Sequence, residues 1–215
     1  MSPLTRTSDR TAPARPAAAG RAREAVAEVE AECAAMSRLL HDNVMQTLLA
    51  ARYAADLAGD TTVRDAVREA ISEASAAMWR LKPRTTQGHL VRALGELAER
   101  RTGVVLSLRT DGVPEGIDPA AASVAYRVVQ SALEACAATH MEVRVSLRAG
   151  LLTVSVCDDG PAYDDAMHAP DSDLTRWLAR AGSLGGSARV GDGPRGGTTL
   201  WLEIPDASAK EQDPS

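Results

Sequence analysis

An imidazole and a carboxylate stand side by side at His41 and Asp42, and an amide follows at Gln46. Positions 42 and 46 lie four apart, so on a helix they share one face. A neutral imidazole is a competent nucleophile near pH 7, and an adjacent carboxylate orients it and takes its proton. The chemistry open to such a trio is phosphoryl acceptance on His41 with Asp42 as its base. Alone, a His-Asp pair on a helix surface is usually solvated charge. A second set of candidates lies far downstream, in Asp158-Asp159-Gly160 and Gly196-Gly197-Thr198-Thr199. Each is short and resembles common turn chemistry, so order and spacing must carry the argument.

The elements that position these residues follow from periodicity. Val26, Val29, Cys33, Met36 and Leu40 recur at spacings of three and four, the seam of a coiled-coil-like helix running to about residue 57. Gly59-Asp60 supplies a stop, and Thr61 or Thr62 can cap a second helix striped by Val63, Val67, Ala70, Ile71, Ala74, Met78 and Leu81. Pro83 ends it. Two amphipathic helices joined by a short turn form an antiparallel hairpin, and two hairpins bury their stripes as a four-helix bundle, so a dimer is expected. Beyond it the chain alternates: a short helix from Leu90 to near Gly103, a strand over 104–108, a helix over 119–139, and strands over 141–148 and 151–157 around Ala149-Gly150. Asp158-Asp159-Gly160 then begins a loop, followed by a helix over 173–181, Gly185-Gly186 and two closing strands, the last over 198–204. The fold class is α+β, with helices on one face of a sheet. The expected organisation is a disordered tail over 1–20, a helical hairpin over 21–83, an α/β sandwich over 84–205 and a disordered tail over 206–215.

Composition narrows the function. The net charge of −5 argues against a general nucleic-acid binder. No run reaches the ~18 apolar residues of a membrane span, and the Arg/Pro/Ala-rich start lacks the apolar core of a signal peptide. Cys33, Cys136 and Cys157 are too few and too scattered for a disulfide framework or a zinc site. A cytoplasmic protein is the expectation, with no metal site. Phe is absent, so Leu, Val and Ala build the core. Trp79, Trp177 and Trp201 are read as packing.

With these landmarks in order, the chain resembles the dimeric histidine kinases of two-component signalling, in the subfamily that drives NarL-type response regulators. The resemblance spans about residues 31–205. His41-Asp42-x-x-x-Gln46 matches the phosphoacceptor box. Leu81-Lys82-Pro83 and Leu90-Val91-x-Ala93-Leu94 match the linker into a GHKL/HATPase domain. Tyr126-Arg127-Val128-Val129-Gln130 begins the helix that carries the Mg-binding box, and Asp158-x-Gly160 with Gly196-Gly197-Thr198-Thr199 matches parts of the adenine pocket. The resemblance implies that His41 accepts the phosphoryl group, Asp42 is the base and Gln46 positions water for dephosphorylating the regulator. It also implies that Asp158, Gly160, Gly197 and Thr198 belong to a nucleotide site.

That nucleotide site departs from the pattern. The family's Gln-Glu-Ala-Leu-x-Asn places its Glu and its Mg-ligating Asn where this chain has Ser131 and Ala135, and alanine has no ligand atom. The imidazole position is displaced to His140, and Glu134, one position away on the helix, is rotated by ~100°. Pro161-Ala162 replaces the second glycine of the first Gly-rich box, and Asp171-Ser172-Asp173-Leu174 replaces the glycines that cradle phosphates. Two carboxylates there repel a triphosphate. The remaining nucleotide residues read as vestigial, ATP or ADP binding is expected to be weak with little Mg dependence, and autokinase activity is argued against. Three functions stay open: phosphotransfer with, or dephosphorylation of, a NarL-type regulator through His41; an active soluble kinase with a divergent ATP site; and a non-catalytic partner of an active kinase. The dimer is a homodimer or a heterodimer with a related kinase.

Overall fold

The computed structural model describes residues 16–82, 85, 89–100, 103–113, 116–161, 172–194 and 196–210. The chain divides into two compact units, Ala27–Pro83 and a second made of Arg84–Ser215 together with the chain up to Val26. Helix α1 (Pro16–Leu39) therefore contributes to both. It begins inside the segment expected to be a tail. Its first part belongs with the second unit because Val26 is buried and the Arg23 Nε donates to Asp118 Oδ2 at 2.6 Å.

In the first unit, α1 passes through a π-helical turn (Leu40–Met45) into α2 (Gln46–Ala58). The backbone is right-handed helical at both junctions, so the two helices are one rod with a single wide turn. Gly59, at φ +69°, closes α2 in the left-handed region that favours glycine. Asp60, rather than either threonine, caps α3 (Thr61–Leu81) by accepting from the Val63 N–H at 3.1 Å. An aspartate already in extended backbone at that position outcompetes a threonine one step inside the helix. The helix ends with Lys82 extended, as a residue preceding proline must be; Pro83 itself lies outside the described residues. Met36, placed in the seam by its spacing, is exposed. Ser37 faces α3 instead, and its hydroxyl donates to the Met78 carbonyl at 3.3 Å.

The second unit holds α4 (Leu90–Arg100), β1 (Val105–Asp111), α5 (Pro119–Ala135), β2 (His140–Arg148), β3 (Leu151–Asp158), α6 (Asp173–Ser183), β4 (Ser187–Asp192) and β5 (Thr198–Pro205). The sheet order is β1-β2-β3-β5-β4, with β1 parallel to β2 and the other neighbours antiparallel. Register aligns Val143, Val156 and Leu200, then Val145, Val154 and Leu202, into buried rows on one face. Alternation along each strand explains this: one parity is Val and Leu, the other Ser, Thr, Arg and Glu. α5 is buried along nearly its whole length, capped by Asp118 with Pro119 as its first residue. It stops at Ala135, short of the expected residue 139, because the Thr139 and His140 N–H groups are both taken by the Asp159 carboxylate. Asp206, expected in a tail, is buried and accepts from the Asp118 N–H at 2.8 Å, and a 3-10 turn follows it (Ala207–Lys210). Residues 1–15 and 211–215 lie outside the described residues.

Candidate functional site

The wide turn decides how His41 is presented. Half-buried or buried positions on the first helix run Leu40, Met45, Leu48, Ala51, Ala55. The step of five between Leu40 and Met45 leaves four consecutive residues, His41 to Val44, exposed. A regular α-helix with inward steps of three and four exposes at most three in a row. His41 Nδ1 lies 3.1 Å from Asp42 Oδ1, and both side chains are 67% exposed. The carboxylate accepts only, so a ring proton on Nδ1 makes this contact a hydrogen bond and leaves the lone pair on Nε2. Gln46 opens α2 and is exposed; among the described residues its side chain is hydrogen-bonded to neither His41 nor Asp42.

The downstream candidates do converge. Asp158, expected in a loop, is the last residue of β3, and its register partner is the buried Met141. It therefore continues the inward parity of Leu152, Val154 and Val156, and is 2% exposed. Its Oδ1 accepts from the Gly160 N–H at 2.9 Å and the Thr198 N–H at 3.4 Å. Its Oδ2 is buried with no hydrogen-bond partner among the described residues. Gly197 packs so closely on the Asp158 carbonyl that a Cβ there would overlap it, and a Cβ on Gly160 would press on Ala138. Asp158, Gly160, Gly197 and Thr198 thus form one cluster, with a buried acceptor in need of a donor.

The neighbouring carboxylate behaves differently. Asp159 Oδ1 accepts from the N–H groups of His140 (2.8 Å) and Thr139 (2.9 Å), while Oδ2 accepts from the Thr139 hydroxyl (2.8 Å) and meets His140 Nδ1 at 3.1 Å. The His140 N–H, then the Thr139 hydroxyl, hold its pKa far below the carboxylate range. Sequence reading missed this structural clasp; the Thr-His pair beside a strand start was its only local signal. His140 is held by Asp159 and is not offered to the Asp158 cluster.

A cavity of about 220 Å³ is lined by Ser131, Glu134 and Ala135 of α5 and by Ser172, Asp173 and Leu174 at the start of α6. Ala135 offers no ligand atom, and no group of three or more His, Cys, Asp or Glu side chains among the described residues can hold a metal. At the α6 N-terminus Ser172 Oγ accepts from the Thr175 N–H at 3.1 Å. Asp173 adds negative charge there and pairs with Arg176. Asp171 and Ala162 lie outside the described residues.

No model of a known protein family matches the chain, and no curated protein sequence matches it. Among solved structures it is similar to the ATP-binding domain of PrrB from Mycobacterium tuberculosis, at 18% identity over 56% of this chain and 93% of that one, with a TM-score of 0.42. It is similar to the histidine kinase AdeS of Acinetobacter baumannii at 12% identity over 78% and 98%, with a TM-score of 0.47. Full-length ShkA, solved with AMPPNP, matches at 16% identity over 83% of this chain and 46% of its own length, with a TM-score of 0.48. The chain thus spans about half of ShkA. No helix among the described residues is long and apolar enough to cross a membrane.

Proposed function

We propose that this chain is a histidine-kinase-like module of two-component signalling. Its His41 exchanges a phosphoryl group with the receiver aspartate of a NarL-type response regulator, and Gln46 positions the water that dephosphorylates it. The observation that carries this reading is the His41–Asp42 pair at 3.1 Å on a wide, solvent-facing turn. In transfer, His41 Nε2 attacks phosphorus as the donor's P–O bond breaks. The Asp42 carboxylate balances the resulting imidazolium at Nδ1 and takes its proton. The order of motifs along the chain supports the family; the cavity walls argue against autophosphorylation, because phosphoryl transfer from ATP depends on metal-assisted charge neutralisation. The module acts as a homodimer or with a related kinase, through the apolar stripe of its hairpin.

A second reading has its own observation. Asp158 Oδ2, which has no hydrogen-bond partner among the described residues, suits an exocyclic amine such as that of adenine, which keeps an active kinase with a divergent phosphate site in play. Calorimetric titration with ATP and ADP, with and without magnesium, separates the two. Weak binding indifferent to magnesium, together with His41-dependent exchange with a phosphorylated NarL-type receiver, is expected. Tight magnesium-dependent ATP binding and phosphohistidine at His41 establish the active kinase. If His41→Ala and Gln46→Ala change no receiver's phosphorylation, the chain is a non-catalytic partner.

A further inference from the structure

We propose that the start of α1, up to Val26, is a latch: Arg23 and Asp118 hold it on the second unit, and its release lengthens a seam against a second copy of this chain. The inference rests on the dimer proposed above. Ala19 and Ala22 continue the seam of Val26, Val29, Cys33 and Met36 upstream, at the same alternating steps of three and four. The structure divides that seam between two uses. Ala19, Ala22 and Val26 belong to the second unit, and Val26 is 2% exposed, whereas Met36 is 51% exposed. One helix face packs on one surface at a time, so docking Val26 on the second unit withdraws it from the seam.

The docked state depends on one ion pair and little apolar surface. Ala19 and Ala22 are half-buried and bring only methyl groups, so Val26 is the main apolar anchor. Arg23, three residues earlier and on the same face, donates from Nε to Asp118 Oδ2 at 2.6 Å. Asp118 is 6% exposed, and its N–H donates to the carboxylate of Asp206, which is 3% exposed. Two carboxylates are thus buried side by side, and among the described residues Arg23 is the one cation bonded to either. Lifting α1 removes that cation, but it also returns water to Asp118, and hydration offsets the lost pair. Opposed terms of this kind leave two states close enough in free energy to exchange. The chain's return to the second unit is held separately: Thr85 Oγ1 lies 2.7 Å from Ser123 Oγ on α5, and both residues are buried. Opening the latch therefore leaves that crossing attached.

The test reads the seam by disulfide formation in the full-length protein. The parent protein carries Ala22→Cys, with Cys33→Ser to remove the other seam thiol. Under copper-phenanthroline oxidation two copies link through position 22 when their α1 starts lie side by side, and mass spectrometry assigns the link. In the parent the link is expected to form slowly. Arg23→Gln and Asp118→Asn are each expected to speed it about tenfold, as the loss of one charge-assisted hydrogen bond implies; Asn still caps α5. The double variant is expected to be no faster than either single one, the mark of a shared contact. Arg23→Lys keeps the charge and is expected to stay within about threefold of the parent. A parent as fast as Arg23→Gln overturns the latch, as does a double variant that reaches the product of the two single effects. Absence of the link in every variant of a protein that sediments as a dimer also overturns it, because α1 then never rejoins the seam. A protein that sediments as a monomer is a different failure: the proposed dimer itself is gone, and α1 has no seam to lengthen.

Discussion

Two consecutive carboxylates at the end of β3 have opposite fates, because strand parity sends one inward and one outward. Asp159 has a full set of donors and a depressed pKa. A depressed carboxylate contributes stability that is present above its unfolded value, about 4, and is lost as pH falls below that toward the folded value. Asp159→Asn is therefore expected to lower the urea midpoint at pH 6 and to lose its effect progressively below about pH 4; a pH-independent difference would count against the clasp. Asp158 instead holds a buried oxygen without a hydrogen-bond partner among the described residues. Asn keeps the Oδ1 acceptor for Gly160 and Thr198 and puts an amide group of similar size where Oδ2 stood. Asp158→Asn is expected to leave stability unchanged or raise it by about 1 kcal/mol, while abolishing whatever weak adenosine-nucleotide binding calorimetry detects. A marked loss of stability would show that Oδ2 has a donor that an amide group cannot meet. The inward role of Asp158 was legible in the parity of Leu152, Val154 and Val156, which reaches it unbroken. Its reading as a loop residue followed the Asp-Gly turn signal one step too early.

Elements set by local pattern were legible, and those set by distant partners were not. The β2–β3 hairpin is a clear case: Ala149-Gly150 signals a two-residue turn, and both residues have positive φ, +49° and +71°. Glycine tolerates that region but alanine is strained in it. Ala149→Asn is expected to raise the unfolding free energy by up to about 1 kcal/mol in urea titration, since Asn visits left-handed backbone at lower cost; no gain would place the strain elsewhere. By contrast, the parallel pairing of β1 with β2 depends on a crossover through α5, which no local window reveals. The end of α5 escaped for the same reason, being fixed by a carboxylate twenty residues beyond Thr139. The wide turn at Leu40–Met45 was hidden by ambiguity, because the local apolar pattern serves either register.

Over the whole molecule, the two units differ in how they spend their apolar residues. In the Arg84–Ser215 unit the inward rows of the sheet and nearly all of α5 are buried. The Ala27–Pro83 unit exposes Met36, Leu39, Val44, Leu49, Tyr53, Leu57 and Val63, with Leu57 at 73%. Leu49, Tyr53 and Leu57 follow one another at steps of four on α2, one stripe running toward the Gly59 turn, and Val63 begins the return helix. The proposed dimer would cover this stripe, since a second copy presents the self-complementary surface that a two-fold four-helix bundle requires. Burying one leucine contributes about 2 kcal/mol, so charging both Leu49 and Leu57 in each protomer is expected to weaken association by at least about 100-fold. Sedimentation velocity should then give a dimer for the wild type and a monomer for Leu49→Glu, Leu57→Glu. Near-UV circular dichroism of Trp177 and Trp201, which lie in the other unit, should be unaltered. A wild-type monomer with the stripe still exposed would assign it to a related kinase, because an apolar face of this extent needs a partner of matching helical shape. A wild-type dimer unmoved by both charges would place the interface off α2 altogether.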